Sequence, residues 1–111
     1  MIITASLITA PDRIAALYAI RDRHPGIDSA PQRARLLDAL QSLGHVTTYE
    51  GSRFLDCYDP RARKMELVKA GHDITTTWRI TETESGDRHR IGVYILSRSG
   101  NKMRIMLMKA R

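Results

Sequence analysis

Leu36, Leu37, Leu40 and Leu43 recur at the three- and four-residue spacing of one helix face, with Arg33, Arg35, Asp38 and Gln41 falling mostly outside that stripe. Ser29 and Gln32 have the spacing of a capping box, Pro31 suits a first turn, and Gly44 closes the helix. The stripe covers too few turns for a coiled coil, so these leucines are expected in a core. An earlier helix is read from Ile14, Leu17, Tyr18 and Arg21, with Thr9, Pro11 and Asp12 at its start. It should end before His24-Pro25-Gly26, because a residue preceding proline avoids the helical region. Residues 45–48 are long enough only for a bridging strand or turn. Thr47 and Glu50 make a second capping box, opening a short helix over residues 48–57 that carries Phe54, Leu55 and Tyr58. Asp59 and Pro60 then start another, residues 60–70, closed by Gly71. Two short helices across a tight turn have the spacing of a helix-turn-helix.

Beyond Gly71 the period changes to two. Ile74, Thr76, Trp78 and Ile80 share one face, with Thr75, Thr77, Arg79 and Thr81 on the other. After a loop centred on Ser85-Gly86-Asp87, Ile91, Val93 and Ile95 alternate against Arg90, Gly92, Tyr94 and Leu96. Trp78 and Tyr94 are expected in the hairpin core. Residues 97–102 read as a turn and 103–108 as a further strand. Residues 2–8 are a strand or a lead-in packed on the core. Helices followed by a hairpin give the order of a winged helix. The expected fold is α+β: a three-helix core and β-hairpin wing at 29–96, an N-terminal extension with one helix at 1–28, and a C-terminal strand or tail at 97–111. The whole forms one compact domain.

Charge sharpens this picture. The net charge is +6, and residues 56–111 hold twelve cations and seven anions against six and five in residues 1–55. A basic half suits either a polyanion partner or a solvated surface. No apolar run approaches the roughly 18 residues of a membrane span, and the first residues lack the basic region of a secretory signal. Cys57 is the single cysteine, so an intrachain disulfide is excluded and the cytoplasm is the expected compartment. His24, His45, His72 and His89 have no metal-ligand spacing with Cys57, and neither a phosphate loop nor a nucleophile elbow is present. No enzyme activity, metal or cofactor is expected, and Cys57 is read as an inert buried thiol.

The helix at 60–70 carries Arg61, Arg63, Lys64 and Lys69 against Glu66 alone. Arginine can grip guanine with two hydrogen bonds, and the first turns of a recognition helix enter the major groove most deeply. Arg61, Arg63 and Lys64 are therefore base or phosphate candidates, with Lys69 further along the backbone; Arg63 alternatively pairs with Glu66 three residues on. On the wing, Arg88 and Arg90 are candidates, although Glu82, Glu84 and Asp87 crowd the same loop. Aromatics are few and do not interleave with the cations, which disfavours single-strand or RNA recognition by stacking.

Residues 32–96 resemble the small winged helix-turn-helix domain family common in phage, prophage and plasmid-borne proteins of bacteria. The resemblance rests on the leucine helix ending at Leu43-Gly44, on Val46-Thr47-Thr48, and on Pro60, Ala62-Arg63, Glu66-Leu67, Gly71 and Ile74. It extends through the hairpin ending in Val93-Tyr94-Ile95-Leu96. It implies double-stranded DNA binding with residues 60–70 in the major groove and the hairpin as wing, and no catalysis. Similar domains tend to carry an aliphatic residue where this chain has Lys64, so either the core uses Met65 and Val68 or the helix is rotated. The expected function is transcriptional regulation for a phage or mobile element. The alternative is a winged helix used as a protein-interaction module, such as an inhibitor of a host complex. A homodimer is expected to use the N-terminal extension and the methionine-rich tail.

Overall fold

The computed structural model describes residues 9–82 and 85–97. The expected strand at 103–108, the lead-in at 2–8, Glu84 and the proposed dimer parts of the tail lie outside them. Seven elements follow in order: α1 (Pro11–Arg23), α2 (Ser29–Leu43), β1 (His45–Thr47), α3 (Thr48–Arg53), α4 (Pro60–Lys69), β2 (Ile74–Glu82) and β3 (Arg88–Leu96). The strands form one antiparallel sheet in the order β1-β3-β2. The bridging segment is thus the third strand, paired through Val46 with Tyr94.

The core joins α1 to the rest. Leu17 and Ile20 of α1 pack with Leu36, Ala39 and Leu40 of α2, Val46, Leu55, Cys57, Leu67, Ile74 and Tyr94. Tyr18 meets Phe54 edge to face at 5.7 Å. The buried arc of α2 is wider than its leucines predict. Arg35, expected outside the stripe, is 2 % exposed. Its guanidinium donates to the carbonyls of His24 (2.6 Å), Gly26 (2.9 Å) and Asp56 (3.1 Å), tying two loops together. A buried charge is tolerated where hydrogen bonds replace its hydration. The capping box expected at Ser29 does not form. Asp28 occupies the cap position without a side-chain bond. Gln32 instead donates to Ile27 O at 2.7 Å and accepts from Tyr58 N at 3.1 Å, because it is buried and turned toward both loops.

The second capping box does form, and it carries more than a cap. Glu50 N donates to Thr47 Oγ1 at 3.0 Å, and Thr47 N donates to Glu50 Oε1 at 3.0 Å. Arg13 of α1 binds the same carboxylate through Nε (2.8 Å) and Nη2 (3.1 Å), and Nη2 also reaches His45 O at 2.7 Å. Thr9, expected to help start α1, donates to Glu50 Oε2 instead (3.2 Å), leaving Ala10 at the cap position. One buried carboxylate thus fastens α1 to the start of the helix-turn-helix. The helix it opens stops at Arg53, short of the expected 57. Asp56 turns left-handed (φ 54°) and Cys57 N reaches back to Gly51 O at 2.9 Å, making the turn.

Both ends of α4 match their sequence signals. Asp59 accepts from Ala62 N at 3.2 Å. At the far end Gly71 (φ 106°) lets His72 N reach Leu67 O (3.1 Å) and its own N–H reach Val68 O (3.0 Å), the paired bonds of a Schellman cap.

The hairpin keeps one expectation, Tyr94 in the core, and corrects another, Trp78. Directly paired residues share a face, and the pairs are Ile74↔Leu96, Thr76↔Tyr94, Trp78↔Gly92 and Ile80↔Arg90. The main core therefore takes Ile74 and Tyr94, while Ile91, Val93 and Ile95 turn to the opposite face with Thr75, Thr77 and Arg79, and of these three Val93 is buried. Trp78 shares the core-side face but lies farther toward the wing tip and is 58 % exposed, not core. Gly92 beside it is buried because Thr48 and the indole close over it. A Cβ there would stand 3.1 Å from Thr48 Cγ2 and 3.5 Å from Trp78 Cζ3.

Candidate nucleic-acid interface

The orientation of α4 is set by Leu67, its one buried residue among those described. Neither Met65 (49 % exposed) nor Val68 (40 % exposed) replaces an aliphatic residue at position 64 in the core. Leu67 alone fills the core from this helix, with Lys64 half-buried at its edge and its ammonium 6.0 Å from the Tyr94 ring centre. Burial pushes the Tyr94 hydroxyl above its ordinary pKa, against the opposing pull of nearby Arg61, so the ring under Lys64 stays neutral.

This orientation separates the cations. Arg61 and Lys69 are exposed and make no ion pair among the described residues. Arg63 has a side chain only 15 % exposed and binds Glu66 at 2.9 Å, the structural pairing that its spacing allowed. Arg33 of α2 binds the other Glu66 oxygen, also at 2.9 Å. The Arg33 hydrogen bond first, then the charges of Arg63 and Arg33, hold the Glu66 carboxyl below its usual pKa. The only acid within α4 is thereby turned toward α2, away from Arg61. Arg63→Ala should lower stability by about 1–2 kcal/mol through lost packing and hydrogen bonding, measurable by urea unfolding.

Between α4 and the wing runs a groove of about 400 Å³. Thr48, Arg61, Lys64 and Met65 form its helical wall; Thr76, Trp78 and Tyr94 form the sheet wall. Beyond it on the same sheet face, the Arg90 guanidinium stacks over the Trp78 ring at 4.7 Å from its centre, and Ile80 is exposed beside them. Arg88 and His89 are exposed at the start of β3, opposite Glu82 and Thr81. A larger recess, about 510 Å³, is lined by His45, Thr77, Arg79, Val93 and Ile95 with Gly44 and Trp78. It includes no α4 residue, so the chemistry concentrates in the smaller groove.

The structure thus brings Arg61, Lys64 and Arg90 to one concave face with Trp78. It puts Lys69 farther along α4 and Arg88 at the wing, and it removes Arg63 to the α2 side. Met65 and Val68, which the sequence left open between core and surface, lie at the surface, as does Trp78, which was expected in the core. The signal for the first two was present: on a wheel they share an arc with Arg61 that is turned about 100–160° away from Leu67, the core residue.

Cys57 is buried, and burial pushes its thiol up to about 11, against the pull of Arg35 and Arg63. Among the described residues no group of three His, Cys, Asp or Glu could hold a metal ion. No helix among them is long and apolar enough to cross a membrane.

A family model for the winged helix-turn-helix domain matches residues 31–99, from the first turn of α2 past the end of β3. None of the curated proteins matches the chain. The matched span covers well over half of the 111 residues and contains α3, α4 and the full hairpin, with α1 added in front. The chain belongs to the winged helix-turn-helix domain family.

Proposed function

We propose that the protein binds double-stranded DNA, laying α4 in the major groove with the β2–β3 wing against the adjoining backbone, and acts as a transcriptional regulator. The observation that carries this reading is the division of charge on α4. Arg61, Lys64 and Lys69 lie outward or toward the wing, while Glu66 is held on the far side by Arg33 and Arg63. A helix presented in this way offers cations to phosphates and base edges with its own carboxylate, Glu66, turned away, leaving Asp59 at the cap as the one acid beside Arg61 among the described residues. Arg88 and Arg90 extend the positive surface along the wing. Service to a phage or other mobile element is supported by the sequence resemblance. A two-fold dimer is proposed because one helix specifies few base pairs; it would address half-sites about 34–36 Å apart. The role needs no catalytic step and no cofactor, and it is exercised in the cytoplasm.

Anisotropy of a labelled random-sequence duplex provides the test. At low salt the expected dissociation constant is micromolar, within the range of about 10⁻⁴–10⁻⁶ M for non-specific DNA binding. Absence of binding under those conditions would sink the proposal. It would favour the second reading, a protein-interaction module, for which the exposed Trp78 and Ile80 on the wing are the supporting observation.

A further inference from the structure

An outward apolar stripe on a basic helix calls for its own explanation. Arg61, Met65 and Val68 lie at positions i, i+4 and i+7 of α4, one face of the helix turned about 100–160° away from the buried Leu67. Met65 is 49 % and Val68 40 % exposed, and neither contributes to the core cluster. Arg61, Lys64 and Lys69 surround them, so the stripe sits at the centre of the positive face rather than at its margin. That rim suits an acidic or polyanionic partner, and the stripe suits an apolar group on the same partner.

The floor of the DNA major groove meets both demands at one kind of site. Guanine, cytosine and adenine present hydrogen-bond donors and acceptors there, and the single apolar group is the C5 methyl of thymine. Resting on the DNA reading above, we infer that Met65 and Val68 are specificity-determining residues that contact thymine methyl groups beside a guanine gripped by Arg61. The rise of an α-helix, about 1.5 Å per residue, puts Met65 about 6 Å and Val68 about 10.5 Å along the axis from Arg61. With base pairs about 3.4 Å apart, a helix lying along the groove would meet thymines about two and three pairs from that guanine.

The test selects duplexes from a random-sequence pool with the full chain, then replaces each thymine of the recovered site by deoxyuridine, which deletes only the methyl. Affinity should fall about fourfold per contacted methyl, the equivalent of about 0.8 kcal/mol for one buried apolar carbon. Met65→Ala with Val68→Ala should bring the thymine-to-uracil ratio to one, while binding to random duplex and the thermal midpoint stay near wild type. Met65→Gln keeps the length and helix preference of the side chain and should likewise abolish the ratio at its thymine. A recovered site without thymine near its guanine, a ratio of one in the wild type, or a ratio unchanged in the variants would overturn the inference. Random-duplex binding that enriches no site overturns it alone. No duplex binding of any kind overturns the DNA reading with it.

Discussion

Glu50→Ala is expected to be among the most destabilising single substitutions in the chain, by about 3–5 kcal/mol, the cost of leaving one member of a buried ion pair uncompensated. The carboxylate accepts from Arg13, Thr9 and Thr47 N, so its removal strips the carboxylate half of the α3 capping box, leaving the Glu50 N bond to Thr47, and leaves the α1 guanidinium with its bond to His45 O alone. For a domain of this size that loss lowers the thermal midpoint by on the order of 15 °C, read by circular dichroism. Glu50→Gln keeps an acceptor for the cap but no charge for Arg13, and should fall between wild type and alanine. The same carboxylate sets a pH dependence. Burial raises its pKa, but the Arg13 and Thr47 hydrogen bonds, the Arg13 charge and Thr9 together hold it below the ordinary value. A carboxyl whose folded pKa is depressed contributes stability in full above its unfolded pKa, about 4.3. That contribution drains away as pH falls through the folded value. Wild type should therefore lose stability on acidification below about pH 5 more steeply than Glu50→Gln.

Arg61→Ala is expected to have the opposite profile, a large loss of duplex affinity with stability unchanged within about 0.5 kcal/mol. The side chain is exposed and has no ion pair among the described residues, so folding leaves it free for a partner. If it grips guanine with two bonds, truncation costs about 1–3 kcal/mol of specific affinity. Arg63→Ala, two residues away on the same helix, should reverse the pattern because its guanidinium is committed to Glu66. Anisotropy and urea unfolding on the two variants separate reading residues from structural ones.

Much of this fold was legible in local signals. Thr47 with Glu50, Asp59 with Pro60, and Gly71 each marked a helix end that the structure keeps, and the turn at Ser85-Gly86-Asp87 separated two real strands. What the sequence hid was set by partners distant along the chain. Arg35 looks like a surface residue until three loop carbonyls are folded around it. Gln32 looks like half a capping box until Tyr58 N competes for its side chain. Trp78 looks like hairpin core because alternation fixes a face but not how far the helices extend beneath it. Charge composition singled out the α4 cations; only the orientation set by Leu67 sorted them into Arg61 and Lys69 outward, Lys64 at the wing edge and Arg63 inward.

The salt dependence of duplex binding tests the proposed DNA role most directly. On random-sequence duplex, where Arg61 meets phosphate rather than a selected guanine, each phosphate neutralised contributes about −0.9 to the slope of log affinity against log salt, so contact by Arg61, Lys64, Lys69, Arg88 and Arg90 gives a slope of about −4.5. Arg61→Ala should reduce its magnitude by about one, and Arg63→Ala should leave it unchanged. A flat salt response, or a slope that Arg63→Ala alters and Arg61→Ala does not, would contradict DNA contact through the outward face of α4.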